Sequence, residues 1–338
     1  MHPEAPKECS KSIINSHTIS KCHFSDITRN GQIYFYNKTN LYQLEQSNGK
    51  FQPNLVGMKH ASVFYGFCGK HDKELFSPIE NSTFKPNIVH CFIAGYRAFS
   101  RQLYDKNCSV KLYDNIKKSG FKLNINCIAQ QSAALQDVEQ LDEDKLIFNK
   151  AIKEGNTDDF SFLCIEFKKI PNLMVTGFFT LGSDYKGRKI CDTSSIVLKE
   201  NIFSGKIIPV TQLTNKIPMT SVMYLSSRGK HYAVFCWPKT DDKTFKPILE
   251  SLQRTKKSRI TDALIYTALV HCENVILSPD WWESLSEEKQ ENLNSLAHPT
   301  THAENIPIKI TDLLNGDDPI YDDWEPIAFY SDTIDIKE

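Results

Sequence analysis

The runs Phe160-Ser161-Phe162-Leu163-Cys164-Ile165, Leu173-Met174-Val175-Thr176-Gly177-Phe178-Phe179 and Tyr232-Ala233-Val234-Phe235-Cys236-Trp237 decide the fold class. Each is short, rich in β-branched and aromatic side chains, and either alternating or continuously apolar, the pattern of strands with at least one buried face. Ser195-Ile196-Val197-Leu198, Ile207-Ile208-Pro209-Val210 and Met219 to Leu225 extend the series, so sheet is predicted over 159–237. Gly182, Gly187, Gly205 and Gly229 fall in the short connections. Connections of that length suit hairpins, whereas a parallel crossover needs about a dozen residues or more. A mainly antiparallel sheet follows.

Outward from the sheet the hydrophobic period changes. Upstream, Ile88, Cys91, Phe92, Tyr96, Phe99 and Leu103 recur every three to four positions, laying one apolar stripe along a helix, and Ala129 to Lys153 has the same character, so helices are expected over 88–153. Downstream, helical patterns run over 243–254 and 258–272, and Ser278-Pro279-Asp280-Trp281-Trp282 reads as the capped start of another, giving helices within 243–295. Residues 1–85 are different: one clear strand at Gln32 to Tyr36, turn signals at Asn30-Gly31 and Asn48-Gly49, and little apolar mass. The expected fold is α+β, with a small N-terminal module over 1–85 joined to an α+β body over 86–338. A module so poor in core residues needs a staple.

Composition excludes several classes. The 338 residues carry 40 Lys and Arg against 41 Asp and Glu, a net charge of −1. There is thus no global basic field to draw the chain to nucleic acid. Any such contact must be local, and the cluster Arg254, Lys256, Lys257 and Arg259 is the candidate phosphate-binding patch. No run of about 18 apolar residues occurs and the N-terminus lacks a basic and apolar leader pattern, so a cytoplasmic chain without membrane contact is expected. The ten cysteines are scattered, most of them inside apolar runs, as expected of reduced buried thiols. Phosphate-loop, dinucleotide and nucleophile-elbow motifs are absent.

Chemistry concentrates in the first eighty residues. Cys68 and His71 have ligand spacing where a loop enters a helix, and Cys9 is the natural third ligand of a structural zinc ion. Cys22, His23 and His2 are candidates for the fourth. Asn15-Ser16-His17-Thr18-Ile19-Ser20-Lys21, taken with Phe67-Cys68-Gly69-Lys70-His71-Asp72-Lys73-Glu74-Leu75-Phe76, resembles the HNH, or ββα-metal, family. The resemblance implies a treble-clef zinc module and a metal-dependent nuclease, or a nucleic-acid binder derived from one, in bacterial or phage defence. It places His17 on the general base, Cys68 and His71 on the zinc pair, and Asp72 on the position that ligates a catalytic Mg2+ or Mn2+ ion. Ser16, Ser20 and Asp72 stand where the family carries an acidic residue, a proline and a histidine. In the alternative, His17 itself completes the zinc tetrahedron with Cys9, Cys68 and His71. No base then remains, and the chain is a non-catalytic zinc-stabilised module that binds a protein partner. Glu166 and Lys168, with Asp158 and Asp159 upstream, also resemble the PD-(D/E)xK nuclease core. Phe67 to Glu80, Tyr96-Arg97-Ala98 and Glu273-Asn274-Val275 are similar to uncharacterised bacterial proteins.

Overall fold

The structure, a computed structural model, describes residues 1–7, 9–10, 12–37, 51–120, 125–191, 197–201, 206–210, 216–297 and 309–336. The chain opens with β1 (Ser16–His17), α1 (Lys21–Phe24), β2 (Gln32–Asn37), β3 (Asn54–Gly57), β4 (Val63–Phe64) and α2 (Gly69–Glu80). Two long helices follow, α3 (Ile88–Lys118) and α4 (Ile125–Glu154). The middle of the chain supplies β5 (Phe160–Phe167), β6 (Leu173–Phe179), β7 (Val197–Asn201), β8 (Lys206–Val210), β9 (Thr220–Ser227) and β10 (Lys230–Pro238). It ends with α5 (Asp242–Gln253), α6 (Ile260–His271), β11 (Asn274–Leu277), α7 (Pro279–Ser284), α8 (Glu287–Ala297), α9 (Ile310–Leu313) and β12 (Pro326–Ser331). The expected turn at Asn48-Gly49, the strand start at Ser195-Ile196 and the Gly205 connection lie outside the described residues.

The fold is α+β around an eight-stranded sheet of order β12-β5-β10-β9-β6-β11-β2-β3, antiparallel at every pairing. Hairpin β9–β10 turns through Arg228 (φ 50°) and Gly229 (φ 75°), with Ser227 opposite Lys230. Two consecutive positive φ values give the turn whose twist matches that of the flanking strands.

Both faces of the sheet are covered, which explains why β5 and β9 are buried at every position and read as continuous apolar runs. On one face α3 and α4 contribute Phe92, Tyr96, Phe99 and Phe148, which meet Phe160 and Phe178 of the sheet; Phe99 and Phe148 stack with ring centroids 4.5 Å apart. On the other face α5 sets Phe245 against Trp237, and the Tyr224 hydroxyl donates to the Leu264 carbonyl of α6 at 2.8 Å.

Two expectations about organisation are corrected. The sheet is not confined to 159–237: β11 lies within the segment read as helical over 243–295, and β12 follows it. Residues 1–85 keep one two-stranded sheet of their own, β1 with β4, but β2 and several core side chains belong to the main body. β2 pairs with β11, Asn37 opposite Asn274 and Tyr34 opposite Leu277, and Phe24, Ile27, Ile33 and Tyr36 enter the main core. The physical reason is the shortage of apolar mass in this segment, which docking onto a larger sheet relieves. Among the described residues no helix is long and apolar enough to cross a membrane.

Candidate metal centre

Antiparallel pairing builds the site. Ser16 lies opposite Phe64 and His17 opposite Val63, and the pairing continues through the Ile14 N–H, which donates to the Phe67 carbonyl at 2.9 Å, to a bridge between Ile13 and Cys68. Residues 9–10 and 12–14 are thereby laid beside the start of α2. Ser10 fastens them there: its N–H donates to Cys68 Sγ at 3.3 Å and its Oγ accepts from the Lys70 N–H at 3.4 Å. Cys68 occupies the helix N-cap in extended conformation, and His71 follows within the first turn. At that spacing both side chains reach over the same helix end.

The donor atoms converge. Cys68 Sγ is 3.5 Å and Cys9 Sγ 3.7 Å from His71 Nδ1, and the three donor atoms all lie within 4.8 Å of one another. A tetrahedral zinc ion, with Zn–S near 2.3 Å and Zn–N near 2.05 Å, separates a sulfur from a nitrogen ligand by about 3.6 Å. Burial pushes the Cys68 thiol up, but hydrogen bonds from the His71 N–H, from Ser10 and from Cys9 outweigh it and hold the thiol down at about 6. At neutral pH Cys68 is therefore largely the thiolate a metal requires.

Of the three candidates for a fourth ligand, one lies at this site. His2 stacks on His71, ring centroids 3.7 Å apart and 8° from parallel. Cys22 instead bonds to Ser20 Oγ and to the Glu80 carbonyl, and His23 Nδ1 donates to the Ser226 carbonyl at 2.8 Å. Glu4, which sequence reasoning missed, joins His2 and His71 in a second cluster of donors within 4.8 Å of one another. His71 itself is 1% exposed, and its Nε2 is buried without a hydrogen-bond partner. Metal-ligating histidines commonly donate their second ring N–H to a carboxylate or carbonyl.

His17 and Asp72 lie elsewhere. His17 is four residues along the extended chain from Ile13, about 13 Å at strand rise. Its Nδ1 donates to the Ala61 carbonyl at 3.2 Å, leaving the lone pair on Nε2, and burial, with Lys21, lowers its pKa. Asp72 faces Arg97 at 3.5 Å. Arg97 is 1% exposed, also pairs with Glu80, and lies over the Phe76 ring, 3.9 Å from its centroid. Among the described residues no metal-holding cluster contains His17 or Asp72.

The basic cluster is largely engaged within the chain. Arg254 pairs with Glu250 at 3.0 Å, Lys256 with Asp317 at 2.5 Å, and Arg259 is buried against Asp262 at 3.0 Å. Lys257 lines an open cleft of about 410 Å³ with Lys168, Ser258, Asp323 and Glu325, where two carboxylates offset two ammonium groups. Asp159 and Glu166 stand at opposite ends of β5, about 23 Å apart at strand rise. Asp159 is paired with Lys150, and Lys168 with Glu325.

No family model matches the sequence, and no curated protein and no solved structure matches the chain. Assignment of the site therefore rests on its geometry.

Proposed function

We propose that the protein is a zinc-stapled, non-catalytic binding protein, in which Cys9, Cys68 and His71 hold a structural Zn2+ ion and His2 or Glu4 supplies the fourth donor. The observation that carries this reading is the pair of sulfur–nitrogen separations, 3.5 and 3.7 Å, beside the tetrahedral value of about 3.6 Å. Two thiols and an imidazole are the donor set that zinc favours over oxygen-seeking Mg2+ or Mn2+. When bound, the ion supplies a cross-link between the N-terminal segment and α2. The nuclease reading asks more of the same residues. It needs His17 and Asp72 at one catalytic ion, and Asp72 is engaged by Arg97. The role left to the molecule is recognition of a protein partner by a surface that the staple shapes.

Metal analysis of purified wild type, Cys68→Ala and His17→Ala tests this. Expected are about one zinc per chain in wild type and in His17→Ala, and none in Cys68→Ala. A zinc-free wild type ends the reading. Loss of zinc in His17→Ala would return His17 to the ligand set, and Mg2+- or Mn2+-dependent cleavage of DNA or RNA that His17→Ala abolishes would favour the nuclease.

A further inference from the structure

The two thiols of the centre are also paired for oxidation, an inference that rests on the staple reading for its metal but not for its sulfur chemistry. Cys9 and Cys68 are distant in sequence, yet their sulfurs lie within 4.8 Å of each other. They differ in access: Cys9 is half-buried, whereas Cys68 is 1% exposed. That asymmetry makes Cys9 the sulfur a soluble oxidant reaches first, once its thiol, pushed up by burial, has given up its proton, and Cys68 the one that resolves it. The contrast within the molecule is informative. Cys91 and Cys164 are also close neighbours, but both are fully buried, out of reach of a soluble oxidant. Cys22 and Cys108 are exposed, but Cys22 bonds to Ser20 and Glu80 and Cys108 lies beside Tyr104.

We propose that a hydroperoxide joins Cys9 and Cys68 in a reversible disulfide, and that wherever zinc is bound the oxidation releases it. The Cys9 sulfur attacks the peroxide O–O bond, which breaks to give Cys9 sulfenic acid and hydroxide or alkoxide. The Cys68 sulfur then attacks the sulfenic sulfur; an S–S bond forms, the S–O bond breaks, and the departing oxygen leaves as water. Two electrons pass from the two sulfurs to the peroxide; the Cys9 thiol proton and, because Cys68 is already a thiolate, one proton from water end on its oxygens. Closing the sulfurs to about 2.05 Å requires Cys9 and Cys68 to draw together. Disulfide sulfurs are no longer anionic donors, so His71 and the fourth ligand cannot retain the ion alone.

The full chain is treated with hydrogen peroxide and followed by thiol titration, a chromogenic zinc chelator and mass mapping of proteolytic peptides. Expected are the loss of two thiols, a linked pair of peptides containing Cys9 and Cys68, release of the bound zinc, and reversal of all three by a dithiol reductant. Cys22→Ser should behave as wild type, and Cys9→Ser should yield no linked pair. A zinc-bearing protein whose Cys9 stops at sulfinic acid, or whose oxidised thiols are Cys22 and Cys108, overturns this proposal and leaves the staple standing. A Cys9–Cys68 linked pair in a protein that carries no zinc upholds the disulfide and ends the staple.

Discussion

Arg259 is 1% exposed, with Asp262 3.0 Å away and the Asp318 carbonyl against its guanidinium. Asp262 accepts in addition from the Ile320 and Tyr321 N–H groups at 2.8 and 3.0 Å, so the pair ties the 318–321 segment to the start of α6. Removing one member of a buried pair strands the other charge, at a cost of about 3–5 kcal/mol. Arg259→Ala should lower stability by that order in urea unfolding, while Arg254→Ala and Lys257→Ala stay within about 0.5 kcal/mol of wild type. The sequence shows four cations in six residues but not which of them is buried, because the 317–321 segment that covers Arg259 and pairs with Lys256 is remote. Asp144 offers a second test. Burial pushes its carboxyl up to about 6, even with the Lys216 ammonium beside it. A carboxyl raised in the folded state contributes stability below its unfolded pKa and loses that contribution as pH rises through about 6. Between pH 4.5 and 7.5 wild type should therefore lose about 2 kcal/mol that Asp144→Asn does not, read from paired urea titrations.

At the level of elements, α3 is fixed to the sheet by a close approach at Gly95. A Cβ there would lie 2.7 Å from Ser221 Oγ and 3.1 Å from Cys236 Cβ. Replacing a mid-helix glycine by alanine ordinarily stabilises by about 0.5–1 kcal/mol. Here the sign should reverse, with Gly95→Ala destabilising by about 1–3 kcal/mol in thermal or urea unfolding. The helical hairpin of α3 and α4 and the strands β5, β6, β9 and β10 were legible in the sequence, because each is long enough for its period to show. β11 was not: it spans four residues between helices, too few to establish an alternation. The metal centre divides the same way. Cys68 and His71 belong to one helical turn and announce themselves by spacing. Glu4 and the stacking of His2 on His71 depend on how residues 1–7 fold back, which no local pattern encodes.

Across the whole molecule, the N-terminal segment is attached twice, by β2 in the large sheet and by residues 13–17 beside 63–68. β2 pairs with β11 across the expected boundary at residue 85: composition reveals a segment poor in core residues, but not what it leans on. Two outcomes follow. A chain beginning at residue 86 would leave β11 unpaired on one side and open the core at Tyr36, and it should be insoluble or fail to unfold cooperatively, as circular dichroism melting will tell. Chelation of the metal, by contrast, should loosen the second attachment and spare the first. Hydrogen exchange at residues 63–71 should then quicken at least tenfold while β5 and β10 stay unchanged.

The place of β11 in the sheet also orders events during synthesis. Its neighbour β2 is made early, but the strand it must join does not exist until translation has reached Leu277. At about 5–20 residues per second, the nascent β2–β3 hairpin waits some tens of seconds with its ladder edge open on the ribosome. The first strands of this protein thus complete their sheet only when its last third arrives.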